Sequence, residues 1–214
     1  MHTASRSTFR NATLFTALAV MGTVSAAVLI SSRSLHRAEA APPQRTAAAT
    51  SPLKFTDDGR LLQPHGYRRW VYVGAPLTPN DMNNGKAAFP EFHSVYINPK
   101  AFDEYEKTGE FPDGTVLVKE LVSVGSKAAT SGKGYFMGDF QGLEVAVKDE
   151  TRFKDEPGNW AYFSFGHEYP LKEKVGPQPV ANCSTCHGAS AAQDFVFTQY
   201  YPVLGDAKKP ASRK

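Results

Sequence analysis

The sequence predicts a mainly β domain of the α+β class, an antiparallel sheet carrying two or three short helices. Three observations predict it. Segments rich in aromatic and β-branched residues recur along the chain, each bounded by Gly-, Pro- or Asn-bearing turns. One helix is marked by its own ends, with Asn98-Pro99 at the start and Gly109 at the stop. No internal repeat occurs, and no strand–helix alternation of the kind that builds a parallel sheet.

The 214 residues divide by composition. Residues 1–40 read as an export signal: Arg6 and Arg10 precede an apolar run from about Ala12 to Ile30, and Ala38-Glu39-Ala40 forms a small-x-small cleavage site. The apolar run is barely long enough to span a bilayer, so an uncleaved anchor is the alternative. Cleavage leaves about 174 residues, enough for one domain with a real core. The whole chain has 24 basic and 21 acidic residues; the signal takes four arginines and one glutamate of these, leaving 20 of each. That balance gives no reason to expect a nucleic-acid or membrane-surface partner. Residues 41–53 are rich in Pro, Ala and Thr and read as a disordered lead. The domain is expected over 54–205, with a basic tail at 206–214.

Within the domain the elements follow in order. Arg68 to Val73 reads as a strand, Pro76 to Ala88 as a long polar loop, and Phe92 to Ile97 as a second strand. The helix from Pro99 to about Lys107 follows, then the Pro112-Asp113-Gly114 turn. Thr115 to Val124 is the strongest strand, and Ser126 to Gly134 reads as a loop. Tyr135 to Phe140 and Leu143 to Val147 read as two strands around a Gln141-Gly142 turn. One helical turn is expected over Thr151 to Glu156, and a strand over Trp160 to Phe165. A Pro- and Lys-bearing connection, Tyr169 to Pro179, leads to a short helix over about Val180 to Ala191 and a last strand over Phe195 to Val203.

That helix carries Cys183-Ser184-Thr185-Cys186-His187, the C-x-x-C-H signature of covalent haem c attachment. Two thiols add across the haem vinyl groups, and the adjacent histidine supplies the proximal iron ligand. A thioredoxin-like redox pair would need a βαβ setting, which is not seen. A zinc site would need more ligands, and these are the only cysteines in the chain. Export agrees with haem c, which is attached outside the cytoplasm. Met1, Met21, Met82 and Met137 all precede the motif, and neither Met nor His follows His187. The iron is therefore read as five-coordinate, with one face open to a ligand.

Lys119 stands out in the strongest strand. Alternation groups it with Thr115, Leu117, Leu121 and Ser123, opposite Val116, Val118, Glu120 and Val122. Both faces are largely apolar, so the lysine needs a partner or a job. The plainer explanations are an ion pair, or a lysine guarding an edge strand.

The segments GYRRWVYVG, LTPNDMNNGKAAF, KTGEFPDGTVLVKELVSVG, GKGYFMGDFQGLEVAVKD and EPGNW, and the C-x-x-C-H motif with FTQYYPVL after it, resemble the cytochrome P-460 family over about Phe55 to Leu204. The resemblance implies that Lys119 is bonded to a meso carbon of the porphyrin. It also implies a ferrous Soret band shifted far to the red, and oxidation of hydroxylamine to nitric oxide or nitrous oxide. A homodimer and a soluble electron acceptor, another cytochrome, are implied as well. By position in that family, Phe89 becomes a distal aromatic wall, and His93 falls where better-known members carry arginine. A histidine there is expected to titrate as a base near neutral pH or to donate a hydrogen bond. The family's distal carboxylate falls near Gln178, which is no base. Glu168, Glu173 and His167 lie upstream as substitutes. The competing readings are a nitric oxide-binding cytochrome of the related c-prime-beta type, without turnover, and an ordinary electron carrier.

Overall fold

The structure, a computed structural model, describes residues 52–207. The export signal at 1–40, nearly all of the lead and the tail beyond 207 lie outside the described residues. The lead ends earlier than composition suggests, because Leu53 is buried in the core.

The strands are β1 (Leu61–Leu62), β2 (Val71–Gly74), β3 (Phe92–Ile97), β4 (Val116–Ala129), β5 (Gly132–Lys148), β6 (Trp160–Gly166) and β7 (Lys174–Val175). The helices are α1 (Pro99–Thr108), α2 (Ser184–Ser190) and α3 (Pro202–Ala207). The expected mainly β fold is present: β2-β3-β4-β5-β6 form one antiparallel sheet, and β1 pairs with β7 in a small second one. β4 is the middle strand, so Lys119 is no edge guard.

α1 is bounded as its capping residues dictate. Pro99 takes the first position after Asn98, and Gly109 closes the helix at φ 74, a left-handed conformation that glycine adopts without steric cost. Buried Ala101 and Tyr105 turn inward.

Four segments differ from expectation. Tyr67–Arg69 is a 3-10 turn rather than strand, and β2 starts only at Val71. Ser126 to Gly134 is the far end of a long β4–β5 hairpin that turns at Thr130-Ser131. Thr151 to Glu156 is a string of turns, in which the Asp149 carboxylate accepts from the backbone N–H groups of Thr151 and Arg152. Phe195 to Val203 is not a strand: a 3-10 turn at Thr198–Tyr200 leads into α3, and positive φ at Asp194 and Phe195 breaks the extended path before it.

The Gln141-Gly142 pair is also no turn: β5 continues through it, with a shift of register that leaves Gln141 unpaired to β4. The glycine answers a packing need instead. A Cβ at Gly142 would lie 2.7 Å from the Gly166 carbonyl oxygen of the next strand.

The sheet buries both faces. One packs Val116, Val118, Val145, Val147 and Phe163 against Leu53, Leu61 and Val175. The other packs Val95, Ile97, Leu117, Trp160 and Tyr162 against Tyr105 of α1 and Leu204 of α3. Glu120 points into the first face, fully buried, where it accepts from the Tyr67 hydroxyl at 2.7 Å and pairs with Arg68.

Gly142→Ala is expected to lower stability by about 2 kcal/mol through overpacking against the β6 backbone. A urea midpoint with unchanged slope measures this; an unshifted midpoint would contradict the close approach.

Candidate functional site

Pairing sets side chains of the second face in rungs across the strands. Ile97, Leu117, Ala146 and Tyr162 lie side by side; then come Val95, Lys119, Glu144 and Ser164; then His93, Leu121 and Gly142. Successive rungs are about 7 Å apart along the strands, twice the rise per residue.

The first rung meets the C-x-x-C-H helix. α2 starts after Cys183, and the His187 backbone N–H bonds the Cys183 carbonyl at 3.0 Å. The His187 ring packs between Tyr162 and Phe197, with centroids at 4.5 and 4.7 Å. Its Nδ1–H donates to the Phe195 carbonyl at 2.7 Å, which leaves Nε2 as the free lone pair. Burial lowers the basicity of this imidazole. A cleft opens here, lined by His187, Lys119, Glu144, Leu117, Trp160, Tyr162 and Phe197 among others.

The second rung carries charge. Lys119 pairs with Glu144, and its ammonium lies 4.6 Å from the centre of the Phe89 ring. Glu144 also meets His167 Nε2 at 3.0 Å. Burial opposes ionisation of Glu144, but the Lys119 charge and the hydrogen bonds from Lys119 and His167 outweigh it and hold the carboxyl below its usual range.

The third rung brings in the aromatic and imidazole groups. Phe89 sits edge-on to His93 at 5.8 Å and tilted to His167 at 6.1 Å. His93 Nε2 is buried without a hydrogen-bond partner. That nitrogen faces the interior with no group to share a proton. Burial first, and then the nearby Lys119 charge, push His93 down from 6.5 to about 4. The expectation of a base titrating near neutral pH is thereby corrected: His93 is neutral at pH 7.

Phe89, His93, Lys119 and His167 thus gather at one site, with Cys183, Cys186 and His187 on the element beside it. Gln178 does not join the distal group. Its backbone N–H bonds the Tyr162 carbonyl at 2.7 Å, and its side chain lies toward Asn182 and a groove with Arg60, Lys172 and Lys174. Glu168 and Glu173 are exposed residues of the β6–β7 connection. Met82 and Met137 are exposed and line no part of the cleft, so neither reaches toward His187. Glu144 was not singled out by sequence. Its signal was the alternation of Leu143 to Val147, which sets it apart from the buried valines, but its partner depends on register.

The chemistry of the cysteines separates their possible uses. Neither is in a disulfide. Burial pushes the Cys183 thiol up, the reverse of an activated redox cysteine. Among the described residues no three His, Cys, Asp or Glu side chains form a metal-binding group, as a zinc site would require. The set fits haem c: two thiols beside an apolar aromatic cleft, an imidazole with one nitrogen committed to a carbonyl and the other free, and an orphaned ring nitrogen at His93.

Residues 64–198, which contain all of these groups, match the family model described as cytochrome P460. The chain belongs to the cytochrome P460 family. This makes it a haem c cytochrome. No curated protein matches it.

The buried neutral His93 gives this cytochrome a pH dependence of known sign. The unfolded chain binds this proton near pH 6.5 and the folded one only near 4, so stability present at pH 7 is lost as the pH falls through that window. The loss is at most about 3 kcal/mol. Urea midpoints at pH 7 and 4.5 should show a smaller drop in His93→Leu than in the unaltered protein; equal drops would refute the buried neutral ring.

Proposed function

We propose that this cytochrome is an exported, periplasmic mono-haem enzyme that oxidises hydroxylamine. The observation that carries the reading is Lys119 lining the same cleft as His187, on the rung between the proximal histidine and His93. Cys183 and Cys186 would form the thioethers to the haem, His187 Nε2 would ligate its iron, and Lys119 would form a further covalent link to the porphyrin. When bound, the haem supplies an iron open to substrate on one face and a path for electrons to leave.

The chain's own residues do the rest. Phe89 walls the distal side and screens it from water. His93 Nε2 accepts a hydrogen bond from a substrate N–H or O–H, because it is neutral and otherwise unpartnered. Glu144, held ionised between Lys119 and His167, is the carboxylate nearest the reacting end of the cleft. Oxidation of hydroxylamine to nitric oxide releases protons and electrons in equal number, so a proton acceptor is needed beside an electron acceptor. The electron acceptor is a soluble partner, another cytochrome. A homodimer is part of the proposal, with exposed Tyr72, Met137 and Phe140 as sheet-borne contact surface.

A second reading is a nitric oxide-binding cytochrome without turnover. It is favoured by Gln178, an amide where the resemblance expects a carboxylate, with its side chain bonded to Asn182.

Haem-loaded protein should oxidise hydroxylamine with a soluble oxidised acceptor and show a red-shifted ferrous Soret band. Lys119→Leu should lose the shift and slow turnover at least about tenfold, a barrier change of about 1.4 kcal/mol. Nitric oxide binding without any turnover in the unaltered protein would instead establish the second reading.

A further inference from the structure

We infer that Asp194 is a positioning residue for the proximal histidine: pinned by Lys148 and Trp160, it locks a left-handed backbone step that aims the Phe195 carbonyl at His187 Nδ1. The inference rests on the reading that His187 ligates the iron, and it concerns a part of the chain that the motif does not include.

The backbone here is held where it would not rest by itself. Asp194 has φ 41 and Phe195 has φ 61, two consecutive residues with side chains in the left-handed region. Such a conformation is costly for a bulky residue and persists only where the surroundings over-determine it. The surroundings do so at both residues. Asp194 Oδ2 accepts from Lys148 Nζ at 2.6 Å, and Oδ1 accepts from Trp160 Nε1 at 3.2 Å. Lys148 ends β5, Trp160 begins β6, and the two face each other in the sheet register. Lys148 Nζ also donates to the Phe111 carbonyl at 3.2 Å, so the ammonium is tied to the body of the fold. The ion pair is largely sheltered, with the lysine side chain 15% and the aspartate 26% exposed.

Phe195 is clamped as well. A Cβ at Gly158 would lie 2.6 Å from its ring, and a Cβ at Gly188 would lie 2.9 Å from it. Gly188 directly follows His187, so the ring fills the space beside the motif helix. With side chain and preceding residue both fixed, the Phe195 carbonyl has one direction left. It accepts from His187 Nδ1 at 2.7 Å and from the Tyr162 hydroxyl at 3.4 Å.

The chemical consequence follows from the tautomer. A carbonyl on Nδ1–H keeps Nε2 as the ligating lone pair and raises the ring's electron donation. Stronger donation stabilises ferric over ferrous iron and lowers the reduction potential. Release of the Asp194 anchor lets the carbonyl turn away, and the imidazole becomes a weaker donor.

The test compares haem-loaded unaltered protein with Asp194→Ala, Lys148→Met, Lys148→Arg and Asp81→Asn. Asp81 pairs with Lys127 on the exposed hairpin, so its variant controls for the loss of any ion pair. The readouts are the iron–histidine stretching frequency of the ferrous protein by resonance Raman and the midpoint potential. Asp194→Ala and Lys148→Met should lower the frequency and raise the potential, while Lys148→Arg and Asp81→Asn stay with the unaltered protein. If Asp194→Ala fails to fold, Lys148→Met carries the comparison. Frequency and potential unmoved in a folded anchor variant would overturn the inference alone. Absence of an iron–histidine band in the unaltered protein would overturn the ligation reading and the inference with it.

Discussion

Lys119 and Glu120 are neighbours in the middle strand of the sheet, and the pleat forces them to opposite faces. That constraint organises the molecule. Each face receives one charge that cannot stay alone in a largely apolar layer. Glu120 is answered by Tyr67 and Arg68, and the face around it closes as an ordinary core. Lys119 is answered by Glu144, whose other oxygen is held by His167, and the face around it stays open as a cleft. One side of the sheet is thus closed as core, and the other joins a core to a cleft.

The cleft is ordered along the strands by the same pleat. Tyr162 packs tilted against His187 at one end, the Lys119–Glu144 pair follows one rung on, and Phe89 and His93 meet beyond it. A reagent in this space meets an apolar wall, a charged pair and a neutral acceptor in fixed sequence. Because His93, Lys119 and Glu144 lie on the paired strands β3, β4 and β5 rather than on loops, their spacing is set by the sheet itself.

What could be read from sequence was local. Asn98, Pro99 and Gly109 mark α1 by their own conformations, β3 appears with the expected ends, and the C-x-x-C-H helix is announced by spacing. What could not be read depended on partners far along the chain. Counting back from the Ala129–Gly132 pair at the hairpin turn would set Lys119 opposite Gly142; bulges along the hairpin shift the partner by two residues, to Glu144. Gly142 looks like a turn because its real reason, the approach of the Gly166 carbonyl, lies on another strand. Phe195 to Val203 has strand-like composition, yet its aromatics serve as cleft wall and as a wedge against Gly158 and Gly188. Distance along the chain points to Gln178 for a carboxylate, whereas the carboxylate that the fold sets beside Lys119 and His167 comes from β5.

The central claim is that Lys119 and the motif helix hold one haem between them. A peptide mass map of the mature, haem-loaded protein tests it most directly. The account predicts that the peptide containing Lys119 travels covalently with the haem peptide of Cys183 to His187, and that Lys119→Leu separates them. A free Lys119 peptide from fully haem-loaded, unaltered protein would contradict it.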